Sequence, residues 1–475
     1  MILLKIIHRS FFLIYIPSFT HFIKRFIAAI LCFEIFVMKA RIVLIFLSFF
    51  MGSIGSARAQ DTLRLKVEDL FKLAESGSRL LKLSAIRIQE AETGADIAKN
   101  QLLPDIDVAV SAGYLSNVGV IGMGTMKSGF YDMPHFSNSY LVQASYLLFS
   151  GGSVRRDIEI SELRSRIAGL NFEKDKMGIK LLMAGYYLDL YRLIRQRAVY
   201  ERNIDQANLL LEKINTRLKA GILLKSDKIR SELLLEDMKL QLVRVSSRIR
   251  IVSNAMAETL SLPEGTIIEP DPTLPAVANS AVKLDNWTQT AVQTEPDIQI
   301  NELNKQTAQK RQQQVRAAYL PQASLYASNG LARPYVYDIP AKDIYANNLN
   351  VGLRLNYSLG GLYKNKARMA AATQGLTAAV QQSELVMENT RKAVFNAYTL
   401  WVEAGQQLAS EQKKLELATE NYRRILNGYE QQVALITDMT DASNQKLETE
   451  LQLTTAQTMQ IMRYFELQKV TGQLN

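Results

Sequence analysis

Two aspartates three positions apart are the residues whose types and spacing best suit a chemical task. Asp438 and Asp441 lie in ITDMTDASNQ, residues 436–445, where one long helical pattern stops and another begins. Positions three apart on a helix share a face, so both carboxylates could act on one cation. They could also cap the free N–H groups of a first helical turn. Capping alone does not explain why GILLKSDKIR, at 221–230 in a similar pattern, has Arg230 in place of the second acid.

No catalytic or metal-binding constellation accompanies the two acids. The only histidine after residue 60 is His135, in a loop rich in Gly, Ser and Met without a second ligand nearby. The stretch GVIGMGTMKSG, residues 119–129, has neither G-x-G-x-x-G nor P-loop spacing and indicates a flexible surface loop. Trp287 and Trp401 lie in helical patterns, where packing is the expected role. The sequence therefore predicts no enzyme, no cofactor and no metal site.

The positive charge of the chain is concentrated at its front. The 475 residues carry a formal charge of +10, and residues 1–59 hold seven basic residues against one acid. Residues 60–475 retain 49 basic and 45 acidic residues, without a basic arm. We therefore expect no nucleic-acid partner.

Residues 1–59 are typical of an export signal. Basic residues precede the apolar run IVLIFLSFFM at 42–51, and an A-x-A pattern predicts cleavage after Ala59. Met38 is placed like the true start, which would make residues 1–37 a mis-called extension. The alternative is an N-terminal helix that anchors the chain.

The part after the predicted cut has neither thiol chemistry nor an apolar helix long enough for a membrane. The only cysteine, Cys32, lies upstream of the cut. No later apolar run approaches the ~20 residues that a membrane helix needs. If the protein enters a membrane, it must do so by strands.

The chain is an internal repeat. LLPDIDVAVSAG at 102–113 matches YLPQASLYASNG at 319–330, and LLFSGGSVRRDIE at 147–159 matches LNYSLGGLYKNKARM at 355–369. The helical parts match as well, at an offset of 211 positions. Their apolar residues follow the three-and-four spacing of a coiled-coil seam. The matched seams are Ile204, Ala207, Leu211, Ile214 and Leu218 in the first copy, and Leu415, Ala418, Tyr422, Ile425 and Tyr429 in the second.

Proline and glycine mark the ends of the elements. Residues 153–220 and 362–475 lack proline, and a continuous helix over the first would reach roughly 100 Å. Prolines gather at 261–280, the link between the copies. The predicted junctions fall into two kinds. Helix gives way to strand at Pro104 and Pro321, and strand turns back into helix at Gly151, Gly152, Gly360 and Gly361.

Between those junctions the apolar period changes from 3.6 to 2, which predicts four strands. They are expected at about 103–115, 139–149, 320–329 and 347–359. In the last, one face carries Val351, Leu353, Leu355 and Tyr357. Ten-residue strands with one apolar face are typical of outer-membrane barrels, although an ordinary half-buried sheet alternates alike. Four strands cannot close a barrel, so the chain must assemble, with two copies giving eight strands or three giving twelve.

This organisation resembles the TolC family of outer-membrane channels. The resemblance covers nearly all of 60–475 and rests on the LLP and YLP junctions, both Gly-Gly turns, the copy spacing and the ITDMTDA stretch. It implies a mainly α fold with a small β part, in two tandem repeats at 60–278 and 279–475. Each repeat would add long coiled-coil helices and two amphipathic strands to a barrel shared between subunits.

The family resemblance also implies partners and location. It predicts a homotrimer in which a twelve-strand barrel in the outer membrane stands on a twelve-helix tunnel through the periplasm. The inserts at 116–138 and 330–346 would be loops at the cell surface. A periplasmic adaptor protein and an inner-membrane pump would complete an efflux or type I secretion system. The alternative, a periplasmic coiled-coil adaptor without a pore, would show one helical hairpin flanked by β-rich domains.

The same resemblance assigns roles near the acid pair. The family's channel entrance bears a D-x-x-D-A arrangement, matched by Asp438, Asp441 and Ala442, which would form a ring of acids in a three-fold assembly. Hydrogen bonds between neighbouring hairpins would hold that entrance closed. Their members would be Tyr429, Asp227 and Ser226.

One member of that network departs from the family pattern. The family's basic residue four positions before the first acid is Ala434 here. Another cation could replace it, for instance Lys225 or Arg230. In the capping alternative, Thr437 or Asp438 would be the N-cap.

Overall fold

The structure is a computed structural model that describes residues 62–122, 129–263, 265–275 and 283–474. The predicted export signal, its cut after Ala59 and the start at Met38 lie outside the described residues. No described helix combines the length and the apolar composition that crossing a membrane requires.

Most described residues lie in helices, as predicted for a mainly α chain. The helices are α1 (Val67–Gly77), α2 (Arg79–Asn100), α3 (Ser153–Lys219), α4 (Lys225–Thr259), α5 (Leu284–Thr294), α6 (Pro296–Ala317), α7 (Gly361–Glu430) and α8 (Ile436–Val470). The strands are β1 (Thr62–Leu65), β2 (Asp105–Tyr114), β3 (Val118–Val120), β4 (Gly129–Tyr131), β5 (Phe136–Phe149), β6 (Ile267–Pro270), β7 (Gln322–Arg333) and β8 (Ala346–Asn356). Two short helices, two long strands, a very long helix and a second helix therefore occur twice, which confirms the tandem repeat.

The two longest helices follow from the proline-free runs. Helix α3 has 67 residues and α7 has 70, so each reaches roughly 100 Å at 1.5 Å per residue. Rods of this length have no single compact core, and their apolar seams pack lengthwise on neighbouring helices. The predicted seam residues Ile214 and Tyr429 are buried with Ile436 and Met439 in one cluster. The seams predicted from spacing are thus confirmed.

The largest core lies where α1, α3, α4 and β6 meet. Met183, Leu190 and Met256 are fully buried there. A smaller cluster holds both tryptophans, Trp287 and Trp401, against side chains of α7 and α8. The packing role predicted for the tryptophans is confirmed.

The four long strands form one antiparallel sheet in the order β2-β5-β7-β8. The strand register lines up whole rows of side chains across the sheet. One row is Ile106, Ala144, Ala327 and Val351, and the adjacent row on the opposite face is Asp107, Gln143, Ser328 and Asn350. The apolar side chains are not covered: Val108 and Leu353 are 70% and 66% exposed. The sheet therefore has one exposed apolar face and one polar face.

Several strand details differ from the sequence prediction. Strand β5 begins at Phe136 and β7 continues to Arg333, so both strands extend into the predicted inserts. Within the first insert β3 and β4 pair with each other, although the stretch 119–129 was expected to be loop. The proline-rich link contains β6, which pairs in parallel with β1. The four-residue pairing of β1 with β6 depends on contacts between distant segments rather than on a local pattern.

The proline and glycine junctions have different backbones in the two repeats. Pro104 and Pro321 each stand directly before a strand. Gly151 and Gly152 have φ of +64° and +84°, in the left-handed region, whereas the N-cap Gly360 has an ordinary φ of −63°. Only the first Gly-Gly turn therefore requires glycine for its backbone conformation.

We expect Gly152→Ala to lower the free energy of unfolding by about 1–2 kcal/mol, the cost of a left-handed backbone for an L-residue. No atom lies within 4 Å of a Cβ built there, so the effect isolates the backbone. Gly360→Ala is the matched control, because Gly360 is also the N-cap of a long helix. Chemical unfolding followed by helical circular dichroism measures both. Equal losses in the two variants would contradict the backbone argument.

Candidate functional site at the two helix turns

The acids lie beside two structurally equivalent turns, one between α3 and α4 and the other between α7 and α8. Both turns end the preceding helix with a left-handed residue, Gly221 at φ +74° and Gln432 at φ +66°. In both, a following N–H reaches back to the helix: Ile222 N–H to Arg217 O at 3.0 Å, and Val433 N–H to Gly428 O at 2.8 Å. This is the Schellman pattern of hydrogen bonds. Gln432 adopts the conformation without the freedom of a glycine, so the second turn carries more backbone strain.

One acid in each turn caps the following helix. The backbone N–H of Leu224 donates to Asp227 Oδ2 at 3.1 Å, and that of Leu435 donates to Asp438 Oδ2 at 3.3 Å. The N-cap of α8 is therefore Leu435, and the expectation of Thr437 or Asp438 as N-cap is wrong. Asp438 sits at the third helical position and reaches back to the cap residue, as Asp227 does in the first repeat. Capping accounts for these two acids equally.

Asp441 is not explained by capping. It lies in the second turn of α8, is exposed, and makes no hydrogen bond or ion pair with a described residue. Its counterpart Arg230 is exposed as well. The two repeats therefore differ at one position of the acid pair only. There, α8 has the unpaired Asp441 and α4 has Arg230.

Tyr429 lies in the last turn of α7 and is only 4% exposed. Burial raises the pKa of its phenol; the charge of Arg217 opposes that rise and the charge of Asp227 adds to it. No described group is in hydrogen-bonding geometry with Tyr429 Oη. Within the subunit, Tyr429 therefore bonds neither Asp227 nor Ser226, and hydrogen bonds from these residues to a neighbouring subunit stay a prediction.

The cation at Tyr429 is Arg217, which the sequence analysis missed. Its guanidinium carbon lies 5.1 Å from the centre of the Tyr429 ring. Among the described residues, neither Lys225 nor Arg230 makes an ion pair or lies over an aromatic ring. The available sequence signal was the pair of tyrosines, Tyr422 and Tyr429, at seam positions where the first repeat has leucine.

A second ring–cation contact lies two turns before Tyr429 on α7, at Tyr422. Lys446 Nζ is 4.8 Å from the centre of the Tyr422 ring and 3.7 Å from Glu450 Oε1. Arg202 of α3 approaches the same carboxylate at 3.7 Å. The two seam tyrosines of the second repeat, Tyr422 and Tyr429, thus lie between helices and under cations.

His135, the one histidine considered as a metal ligand, contacts Tyr114 and Leu115. His135 is exposed, stacks on Tyr114 at 5.2 Å between ring centres, and has Nδ1 3.0 Å from Leu115 O. Within the described ranges, no group of three or more His, Cys, Asp or Glu side chains could hold a metal ion.

The chain that forms these two repeats and their shared sheet matches a known family model. The model for outer membrane efflux proteins matches residues 70–260 and 287–473. The chain belongs to this outer membrane efflux protein family. The two matched segments correspond to the two structural repeats.

Solved structures of outer-membrane proteins share the fold. The outer membrane protein VceC of Vibrio cholerae is 15% identical with a TM-score of 0.72, over 86% of this chain and 96% of that one. The outer membrane channel CmeC of Campylobacter jejuni is 15% identical with a TM-score of 0.71, over 86% and 85% of the two chains. The open state of the channel MtrE of Neisseria gonorrhoeae is 18% identical with a TM-score of 0.67, over 86% and 89%. No curated protein sequence matches. The efflux protein resembles these three in its TolC-like fold.

Proposed function

We propose that this efflux protein is the outer-membrane exit channel of an efflux or type I secretion system, a passive conduit gated at its helix turns. The sheet carries the proposal. One face exposes a continuous apolar surface, and β2 and β8 each pair with a single strand of the described chain. Unpaired strand edges are not tolerated in lipid. Strands of other copies must therefore complete a closed barrel.

Three copies would supply twelve strands and, from α3, α4, α7 and α8, twelve long helices. The barrel would lie in the outer membrane with its apolar face toward lipid and its polar face toward the lumen. The long helices would cross the periplasm, and the inserts at 116–138 and 330–346 would face the cell exterior. The helix turns, with Asp438 and Asp441, would then form the periplasmic entrance.

Such a conduit performs no chemistry, so transport must be driven by another protein. A periplasmic adaptor would seal the helix turns and connect them to an inner-membrane pump. Membership of the efflux family and the reach of α3 and α7 support this assignment. An adaptor protein without a pore is the competing function, but both repeats add strands to one amphipathic sheet. A β-rich domain beside a single hairpin would not have that sheet.

Membrane fractionation, particle mass and conductance test the proposal together. We expect the protein in the outer-membrane fraction, with a mass in detergent of three protomers and stepwise conductance in a planar bilayer. A water-soluble periplasmic protein without conductance would instead identify an adaptor. A conducting particle of two copies would retain the channel but overturn the trimer.

A further inference from the structure

A guanidinium from the first repeat covers the end of the longest helix of the second. Arg217, in the last turn of α3, places its charge over the Tyr429 ring at 5.1 Å. Its Nη1 donates to Tyr429 O at 3.3 Å and its Nη2 to Glu430 O at 3.5 Å. Those carbonyls belong to the end of α7, where the helix dipole is negative and no further helical turn supplies N–H donors. Tyr429 O also accepts from the N–H of Gln432 in the turn, at 3.2 Å. One side chain therefore contacts both the ring and the backbone end of α7.

The surroundings make this contact stronger than a surface contact. The Tyr429 ring is almost fully buried, and Ile214, one turn before Arg217, is completely buried in the same cluster. A cation over a desolvated ring is held more strongly than one over an exposed ring. Beside it, Lys213 Nζ pairs with Glu430 Oε1 at 2.8 Å. The last two turns of α3 thus bind the last turn of α7 through two cations.

Only the first repeat supplies an arginine for such a contact. At the equivalent positions the first repeat has Leu218 where the second has Tyr429, and the second has Gly428 where the first has Arg217. At the position equivalent to Arg217, α7 therefore has no arginine that could reach back to α3. Position 434, where the family pattern has a basic residue, holds Ala434, whose Cβ lies only 3.3 Å from a Cβ built on Gly428.

We propose that Arg217 is the positioning residue that holds the α7–α8 turn against α3, through the ring of Tyr429 and the terminal carbonyls of α7. Separation of these groups frees the α7–α8 turn to move away from α3. The inference rests on the proposed function in one respect: movement of this turn matters for transport because it would widen the entrance. The ring of Tyr429, not its hydroxyl, is the group that Arg217 recognises.

Hydrogen–deuterium exchange of the purified protein in detergent tests the contact without requiring a channel. We expect Arg217→Gln to speed amide exchange at 425–436 about tenfold, the change expected for loss of a desolvated cation–π contact. Tyr429→Leu, which restores the residue type of the first repeat, should have the same effect. Tyr429→Phe keeps the ring and should exchange like the unmodified protein.

The matched control is Arg202→Gln, which removes a cation of the same helix that is exposed and 3.7 Å from its partner on α8. We expect it to leave exchange at 425–436 unchanged. The double variant Arg217→Gln/Tyr429→Leu should barely exceed the larger single effect, because each change removes the same contact between the Arg217 guanidinium and the Tyr429 ring. Additive effects, unchanged exchange in Arg217→Gln, or faster exchange in Tyr429→Phe would each overturn the proposal.

Conductance separates this inference from the proposed function. If the unmodified protein conducts and Arg217→Gln raises the open fraction, both hold. If exchange responds as expected but no variant conducts, the contact is real and the channel assignment fails. If the protein conducts but Arg217→Gln changes neither amide exchange nor the open fraction, the channel assignment holds and the role of Arg217 is wrong.

Discussion

Arginine at position 353 should cost the assembled protein about 2–4 kcal/mol if the site lies near the middle of the membrane. Leu353 is 66% exposed on the apolar face of β8, opposite Leu325 of β7. In lipid, Leu353→Arg places a charge where no water solvates it. In water the same change on an exposed side chain would cost almost nothing. The size of the loss therefore reports the solvent that covers this face.

Asn350→Arg is the matched control on the same strand. Asn350 lies on the polar face, in the row of Asp107 and Ser328, which would line the lumen. We expect little change in stability from this variant and a change in ion selectivity instead. Urea unfolding in detergent or lipid vesicles measures both free energies. Equal stability of the Leu353→Arg and Asn350→Arg proteins would identify an ordinary sheet in water.

The sequence was informative where the structure is periodic. Absence of proline over 153–220 predicted α3 nearly to the residue, and a period of two located all four long strands. The matched copies predicted the repeat because each element recurs in the same order. These features depend on local geometry, which neighbouring residues determine.

Contacts between distant segments were not visible in the sequence. The pairing of β1 with β6 joins Leu65 to Pro270, and neither short strand has an alternating pattern of useful length. The reach of Arg217 to Tyr429 depends on how far α3 and α7 slide along each other. Packing of the whole seam determines that offset, so a single cation could not be assigned to its ring in advance.

The cap of α8 was missed for a different reason. Sequence rules place a polar residue at the N-cap, and both turns use leucine there with aspartate three positions later. The paired acids of the sequence are therefore two separate features: Asp438 shares its capping role with Asp227, and Asp441 has none. The functional hypothesis for the acids can now be tested against an internal control.

Removing both acids should abolish block of the channel by trivalent cations from the periplasmic side. In a trimer Asp438 and Asp441 would place six carboxylates around one axis, and such a ring attracts cations and repels anions. A trivalent ion neutralises several carboxylates at once, so it should bind there most strongly. We expect the variant Asp438→Ala/Asp441→Ala to lose this block and part of its cation preference in a planar bilayer, while the trimer still assembles.

Asp227→Ala is the control that separates a ring of acids from a helix cap. It removes the same kind of N–H to carboxylate bond, at 3.1 Å in the first repeat against 3.3 Å in the second. Asp227→Ala and the Asp438→Ala/Asp441→Ala double variant should each lower the free energy of unfolding by about 0.5–2 kcal/mol through the lost cap. Asp441→Asn removes no cap, so it should weaken block without that loss of stability. If trivalent block is equal in the unmodified protein, the double variant and Asp227→Ala, then the acids of the second turn do not line the entrance.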